Sequence, residues 1–166
     1  MNVRAAFWII AGLVVIADQV TKHWVERFLP LNGPSVPFIP GFMVLTHVHN
    51  PGVAFSQFRN GGPLLILTAA GAAVGLTWFR FKLARGPRPI SWLLEFGLAL
   101  PLGGAVGNML DRIRLGKVVD FLDLGWFPIF NVADSAITVG AIALIAASLF
   151  LSPDCRPATE NANQSA

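Results

Sequence analysis

The sequence predicts a membrane all-α bundle of four transmembrane helices, with a small β-rich cap outside the bilayer. Three observations predict it. Only 13% of the 166 residues are charged and 54% are hydrophobic, whereas a soluble domain carries about 25% charged residues. Four stretches reach or approach the roughly 20 apolar residues that a helix needs to cross a bilayer. Between the first two lies a proline-punctuated segment with a β-like run at 42–49. Mean hydropathy is +0.62, which argues against a cytosolic enzyme and against disorder.

The first span covers 5–28 and is uncharged until Asp18 and Lys22. Its start, with Arg4 and the small residue Ala17, also fits a cleavable signal peptide. The apolar pattern continues past that point to Phe28, however, and three more spans follow, at 63–79, 90–110 and 135–151. Glu95 is the only charge within those three and is read as facing the bundle interior. Trp8, Trp24, Trp78 and Trp92 sit near span ends, where interfacial tryptophan is expected. One membrane domain over 1–151 is expected, with a polar cytoplasmic tail at 152–166. The link 80–88 holds Arg80, Lys82, Arg85 and Arg88 without an acid. Lysines and arginines otherwise tie between the two sides, and that dense link puts both termini on the cytoplasmic side. Residues 29–62 then form an extracytoplasmic cap, and 111–134 a second outer segment that carries Asp120 and Asp123 in a loop.

Charges in or beside a bilayer are costly, so each calls for a reason. Asp18 and Lys22 lie four apart on one helix face. Asn108, Asp111 and Arg112 share a face at the outer end of span 3. Asn131 and Asp134 stand at the entry to span 4. Packing the helices side by side gathers all of these at one depth. Simpler readings exist for each: an ion pair at Asp18–Lys22 and another at Asp111–Arg112, interhelical glue at Asn108, a helix cap at Asn131, a dipole-matched first-turn acid at Asp134, and a solvated loop carboxylate at Asp123. Asp120 and Asp134 are both set among apolar residues, which raises a carboxyl pKa, and a neighbouring carboxylate raises it further. Two acids that approach to about 3 Å share one proton, the arrangement of aspartic proteases.

Other chemistries fit less well. The sequence has no zinc-protease, serine-elbow or phosphate-loop motif. His47 and His49 alternate on the β-like run but have no evident third ligand, so neither a metal nor an organic cofactor is expected. A Ser–Lys pair would need Ser56 or Ser135 with Lys22 or Lys117. The single Cys155 lies beyond the last span. The positive charges form no basic face, and nucleic acid is not a partner. Gly103, Gly104 and Gly107 read as a close-packing seam in span 3.

Five motifs run in order along the chain: Asp18-Gln19-Val20-Thr21-Lys22; Asn50-Pro51-Gly52-Val53-Ala54-Phe55-Ser56; Gly103-Gly104-Ala105-Val106-Gly107-Asn108-Met109-Leu110-Asp111-Arg112; Gly116-Lys117-Val118-Val119-Asp120-Phe121; and Phe130-Asn131-Val132-Ala133-Asp134-Ser135-Ala136-Ile137. In these the sequence resembles the lipoprotein signal peptidase (signal peptidase II) family of membrane aspartic proteases. The resemblance implies a multi-pass protein of the bacterial cytoplasmic (inner) membrane. It implies four transmembrane helices, a β-cradle, and catalytic acids Asp120 and Asp134 at the extracytoplasmic face. It implies that Asn50, Asn108, Arg112 and Asn131 line or brace the site, with Asp18 and Lys22 beside it, and Gly52 is expected to help shape the cap over the substrate. The implied substrate is a prolipoprotein whose cysteine carries diacylglycerol, held at the bilayer surface by its acyl chains. A monomer in contact with membrane lipid is expected. Pro51 and Val53 depart from the commoner residues of the family, and only thirteen residues separate Asp120 from Asp134.

Two rival functions use the same residues. A small transporter or proton relay would run through the acids, although transporter sites lie near the midplane between repeats and no repeat is present. A structural membrane subunit would use the cluster for helix association alone.

Overall fold

The computed structural model describes residues 3–52, 62–86 and 90–150. The tail from 152, Ser56 and Cys155 lie outside these residues, as does the part of the cap after Gly52. In chain order the elements are α1 (Val3–Phe28), β1 (Val36–Ile39), β2 (Met43–Asn50), α2 (Gly62–Ala84), α3 (Trp92–Leu115), β3 (Val118–Asp123) and α4 (Val132–Phe150). All four helices are long and apolar enough to cross a membrane.

α3 is the central helix. Its membrane span is 56% buried, against 6% for that of α2. α1 and α4 pack along it, and the backbone of α2 packs on α3 alone among the helices. Phe7 and Ala11 of α1 meet Leu98, Ala99 and Leu102 of α3 in a buried cluster. The outward residues Leu13, Ile16, Leu67, Val74, Ile142 and Ile145 are exposed, as lipid-facing residues of a membrane helix are.

The predicted glycine seam is present. A Cβ on Gly103 would stand 2.6 Å from Val14 of α1. One on Gly104 would run into the Ala133 carbonyl of α4, and one on Gly107 would stand 2.6 Å from an Asp18 carboxylate oxygen. Small residues are what let membrane helices approach this closely. α3 starts on Ser91, whose Oγ accepts from the Leu94 N–H, and ends at Gly116, which adopts φ +71° and donates to the Arg112 carbonyl. That left-handed terminus suits glycine.

The strands form an antiparallel sheet in the order β1-β2-β3. Val48 pairs with Asp120 and Asn50 with Val118, after an irregularity between Leu45 and Val48. Under the sheet, Val25 and Leu29 of α1 pack against Val119 and Phe121.

Three sequence expectations need correction. Asp120 and Asp123 lie on β3, not in a loop: the alternating Val118–Asp123 run finds its partner in β2, some seventy residues earlier, a pairing that local pattern does not reveal. The link 80–88 is not all loop, because α2 continues to Ala84. Arg80 is therefore a buried helical residue, and its guanidinium clasps the Glu95 carboxylate through Nη2 at 2.9 Å and Nε at 3.3 Å. Finally, Asp111 does not pair with Arg112; its ion-pair partners are Lys22 and, at longer range, Arg114.

Replacing Gly104 with Val should lower stability by about 1–3 kcal/mol or more, because the new side chain meets the α4 backbone. Gly71→Ala, where a Cβ meets nothing, should leave the unfolding midpoint in detergent unchanged or slightly raised.

Candidate active site

The polar residues of α1, α3, β3 and α4 converge at one end of the bundle in a single hydrogen-bonded network. Its centre is the fully buried ammonium of Lys22. Nζ lies 2.8 Å from Asp18 Oδ2, 3.0 Å from Asp111 Oδ2 and 2.8 Å from Asn108 Oδ1. An ammonium has three N–H donors, and all three are used. Each carboxylate then reaches another element. Asp18 Oδ1 accepts the Ala133 N–H of α4 at 3.0 Å, and Asp111 Oδ2 accepts the Val119 N–H of β3 at 3.1 Å.

The cation orients the amide of Asn108. Its oxygen faces Lys22, so its NH2 must point the other way, and it donates to Asp134 Oδ1 at 2.8 Å. Asn131 is oriented by the backbone. Its Oδ1 accepts the Asp134 N–H at 2.9 Å and caps the first turn of α4, as predicted. Its Nδ2 therefore faces Asp120 Oδ1, to which it donates at 2.7 Å. The same NH2 lies 3.2 Å from Asn108 Oδ1 and 3.3 Å from the Val119 carbonyl. One asparagine thus caps the helix that carries Asp134 and binds Asp120.

Asn50, at the end of β2, completes the environment of Asp120. Its Oδ1 accepts the Gly52 N–H at 2.9 Å, and its Nδ2 donates to Asp120 Oδ2 at 2.9 Å. Gly52 adopts φ +100°, and a Cβ there would strike Leu65. This backbone turn requires glycine. Both oxygens of Asp120 thus face amide donors from two different elements.

Asp120 is 2% exposed on β3. Burial pushes its carboxyl up from the ordinary carboxylate range to about 6. The two asparagine hydrogen bonds and Lys22 oppose that shift, and the charge of Asp134 adds to it. The charge of Asp134 is thus felt at Asp120.

The structure thus brings together Asp18, Lys22, Asn50, Gly52, Asn108, Asp120, Asn131 and Asp134. Arg112 stands at the edge of the network. Its Nη1 lies 3.4 Å from the Asn108 carbonyl, and its buried Nε has no protein partner among the described residues. The Ser–Lys alternative loses Lys22 as its base, because that ammonium is saturated with acceptors, and Ser135 Oγ donates to the Asn131 carbonyl. His47 and His49 do share a face, their rings meeting edge to face at 5.2 Å.

Sequence reasoning missed two members of the network. Gln19 Nε2 reaches Asp18 Oδ2, the Gly107 carbonyl and Asp111 Oδ1 at 3.1–3.2 Å. Asp111, noticed only as an interfacial pair, is the second counter-ion of Lys22. The helical spacing of Asn108 and Asp111 was the available signal for the second; nothing in spacing marks Gln19.

Two apolar hollows, each about 490 Å³, lie near the network, and Asp134 lines one of them. One runs from Asp134, Ser135 and Thr138 to Trp126, Phe127 and Phe130. The other lies between α1 and the sheet, lined by Val20, Trp24, Phe38, Phe121 and Val132 among others.

With this geometry in place, the comparison with known proteins decides the family. The family model described as "Signal peptidase (SPase) II" matches residues 10–150. The chain belongs to the signal peptidase II family. A lipoprotein signal peptidase of Thermosynechococcus vestitus is 43% identical over 147 residues, covering 86% of this chain and 90% of the relative. One of Syntrophotalea carbinolica is 44% identical over 146 residues, covering 84% and 88%. A solved bacterial membrane enzyme, determined by the in meso method at 2.3 Å, superposes with a TM-score of 0.81 at 31% identity, covering 92% of each chain. The protein is thus a membrane-spanning member of a peptidase family, and the predicted bundle with its small sheet is borne out.

Asp134→Asn should lower the pKa of Asp120, since it removes a like charge. Carboxyl carbon NMR shifts followed against pH in detergent would show the titration of Asp120 moving to lower pH; an unchanged midpoint would mean that the two acids are not coupled.

Proposed function

We propose that this protein is an aspartic endopeptidase that removes the signal peptide from diacylglyceryl-modified bacterial prolipoproteins, cutting just before the lipidated cysteine. The observation that carries the reading is the pairing of Asp120 and Asp134 through Asn131 and Asn108. Two carboxyls from separate elements are held by amides whose orientation the network dictates.

The chemistry follows from one shared proton. Below about pH 6 the pair carries a single negative charge, because burial of Asp120 and the charge of Asp134 resist the second ionisation. The ionised member takes a proton from a water molecule as that water attacks the scissile carbonyl carbon. The protonated member hydrogen-bonds the carbonyl oxygen and delivers its proton as negative charge builds there. The resulting gem-diol collapses when a carboxyl proton passes to the leaving amine, which belongs to the lipidated cysteine. No acyl-enzyme forms, and no metal or organic cofactor takes part. Asn50 and Asn131 hold Asp120, Asn108 holds Asp134, and Arg112 offers an unused N–H at the edge of the site.

The apolar hollow that Asp134 lines and the one between α1 and the sheet suit a substrate that is apolar on both sides of the cut: a hydrophobic signal segment before it and acyl chains after it. Acyl chains buried in the bilayer keep the scissile bond at the membrane surface, and the acids sit at one end of the bundle. That end is assigned to the extracytoplasmic face of the bacterial cytoplasmic membrane, with both termini cytoplasmic. The assignment rests on the α2–α3 link, where Lys82, Arg85 and Arg88 stand without an acid after Arg80 is discounted. A proton or solute relay is disfavoured, because the acids crowd one end of the bundle and do not line its middle.

Purified protein in detergent with EDTA should cut a synthetic diacylglyceryl prolipoprotein before the lipidated cysteine. Asp120→Asn and Asp134→Asn should each reduce cutting at least about a thousandfold while still accumulating in the membrane. Full cleavage by either variant would remove that aspartate from the mechanism, and loss of abundance in place of activity would favour a structural role.

The pH profile gives a second test. Burial favours the neutral form of Asp120, so the shared proton is retained below about pH 6 and lost as pH rises through that value. In the free protein kcat/KM should therefore fall above about pH 6. A profile flat across that range would show that the proton on Asp120 is not needed.

A further inference from the structure

The opposite end of the bundle holds a second polar arrangement that the proposed reaction does not use. Arg80 and Glu95 neutralise each other there, both buried, and the Arg80 guanidinium also lies 5.2 Å from the Phe7 ring centre of α1. With Glu95 engaged, no acid among the described residues pairs with the neighbouring cations. Lys82 and Arg85 form no ion pair among the described residues, and the sequence from Arg80 to Arg88 contains no acid.

Trp78, Phe81 and Lys82 of α2, with Arg85 just beyond its end, line an open hollow of about 530 Å³. The Lys82 ammonium lies 5.3 Å from the Trp78 ring centre. Phe81 in turn meets Trp8 of α1, with ring centres 6.4 Å apart. The hollow therefore combines two unpaired cations at a span end with an aromatic wall that leads towards α1.

We propose that this hollow is a binding site for the headgroup of an anionic phospholipid. Its phosphate sits between Lys82 and Arg85, and its acyl chains run along Phe81 and Trp8. Charge complementarity selects the occupant: two cations without a counter-ion, at the depth of lipid phosphates, beside aromatic rings of the kind that settle at headgroup level. The location gives the lipid a structural effect. α2 is the least buried span, packs its backbone on α3 alone, and meets α1 through side chains such as Arg80 on Phe7 and Phe81 on Trp8. A lipid seated there bridges α1 and α2 and secures the least supported helix.

Native mass spectrometry and thermal unfolding of the full chain in detergent, with dioleoyl phosphatidylglycerol or phosphatidylcholine added, test the proposal. Each cation near a lipid surface favours an anionic headgroup by about fivefold, so phosphatidylglycerol should be retained about 25-fold more than phosphatidylcholine. It should also raise the unfolding temperature more. Lys82→Gln with Arg85→Gln should abolish both differences, whereas Arg27→Gln, at the other end of the bundle, should keep them. Equal retention of the two lipids by the wild-type protein would overturn the proposal, as would a preference that survives the double substitution. The same stabilisation by inorganic phosphate alone would show a free-anion site and would equally overturn it.

Discussion

The buried ammonium of Lys22 is the constraint on which the functional end of the molecule depends. A cation removed from water is tolerated only when its donors are all engaged, and here they are engaged by Asp18, Asp111 and Asn108. Those three partners then act outward. Asp18 holds the first turn of α4, Asp111 holds the start of β3, and Asn108 holds Asp134. A single charge on α1 thereby sets the relative positions of the helix and the strand that carry the two acids. The excess negative charge of the two carboxylates around Lys22 is offset by Arg112 and Arg114 nearby; Arg114 Nη2 lies 3.8 Å from Asp111 Oδ1.

α2 takes no part in that arrangement. It is fastened at the other end by Arg80 and Glu95, a pair whose removal from water is offset by its two-point geometry and by the ring of Phe7. The bundle thus contains two buried electrostatic knots at opposite ends, each centred on a cation. One orders the strand and the helix that carry Asp120 and Asp134. The other ties the loosely packed helix that follows the Asn50–Gly52 turn.

Much of this was legible in the sequence, for physical reasons that differ between elements. The four spans follow from composition and length alone, because a bilayer admits few alternatives. The gathering of Asp18, Lys22, Asn108, Asn131 and Asp134 followed from the cost of charge in lipid. The glycine seam followed from the absence of any other force that brings membrane helices together. The strand that carries Asp120 was not legible, since six residues cannot announce a partner some seventy residues away. Nor was the burial of Arg80: an arginine near a span end reads as a loop charge until the acid it faces is known to lie on the next helix. Gln19 was hidden for a related reason. Its three acceptors are the Asp18 carboxylate, the Gly107 carbonyl and the Asp111 carboxylate, and two of them come into view only when α1 and α3 are placed side by side.

The close approach of α3 to its neighbours joins the packing to the chemistry. A Cβ on Gly107 would stand 2.6 Å from the Asp18 carboxylate, and one on Gly104 would collide with the Ala133 carbonyl. Ala133 is the residue whose N–H binds Asp18, and it precedes Asp134. Missing side chains on α3 therefore allow Asp18 to reach across to α4, and that reach sets where Asp134 stands. Larger residues at these positions would separate the helices by the width of a methyl group or more. Hydrogen bonds of 2.7–3.0 Å would then stretch beyond useful length. The polar network and the glycine seam are in this sense one structure. The network supplies direction, and the seam supplies the distance at which direction matters.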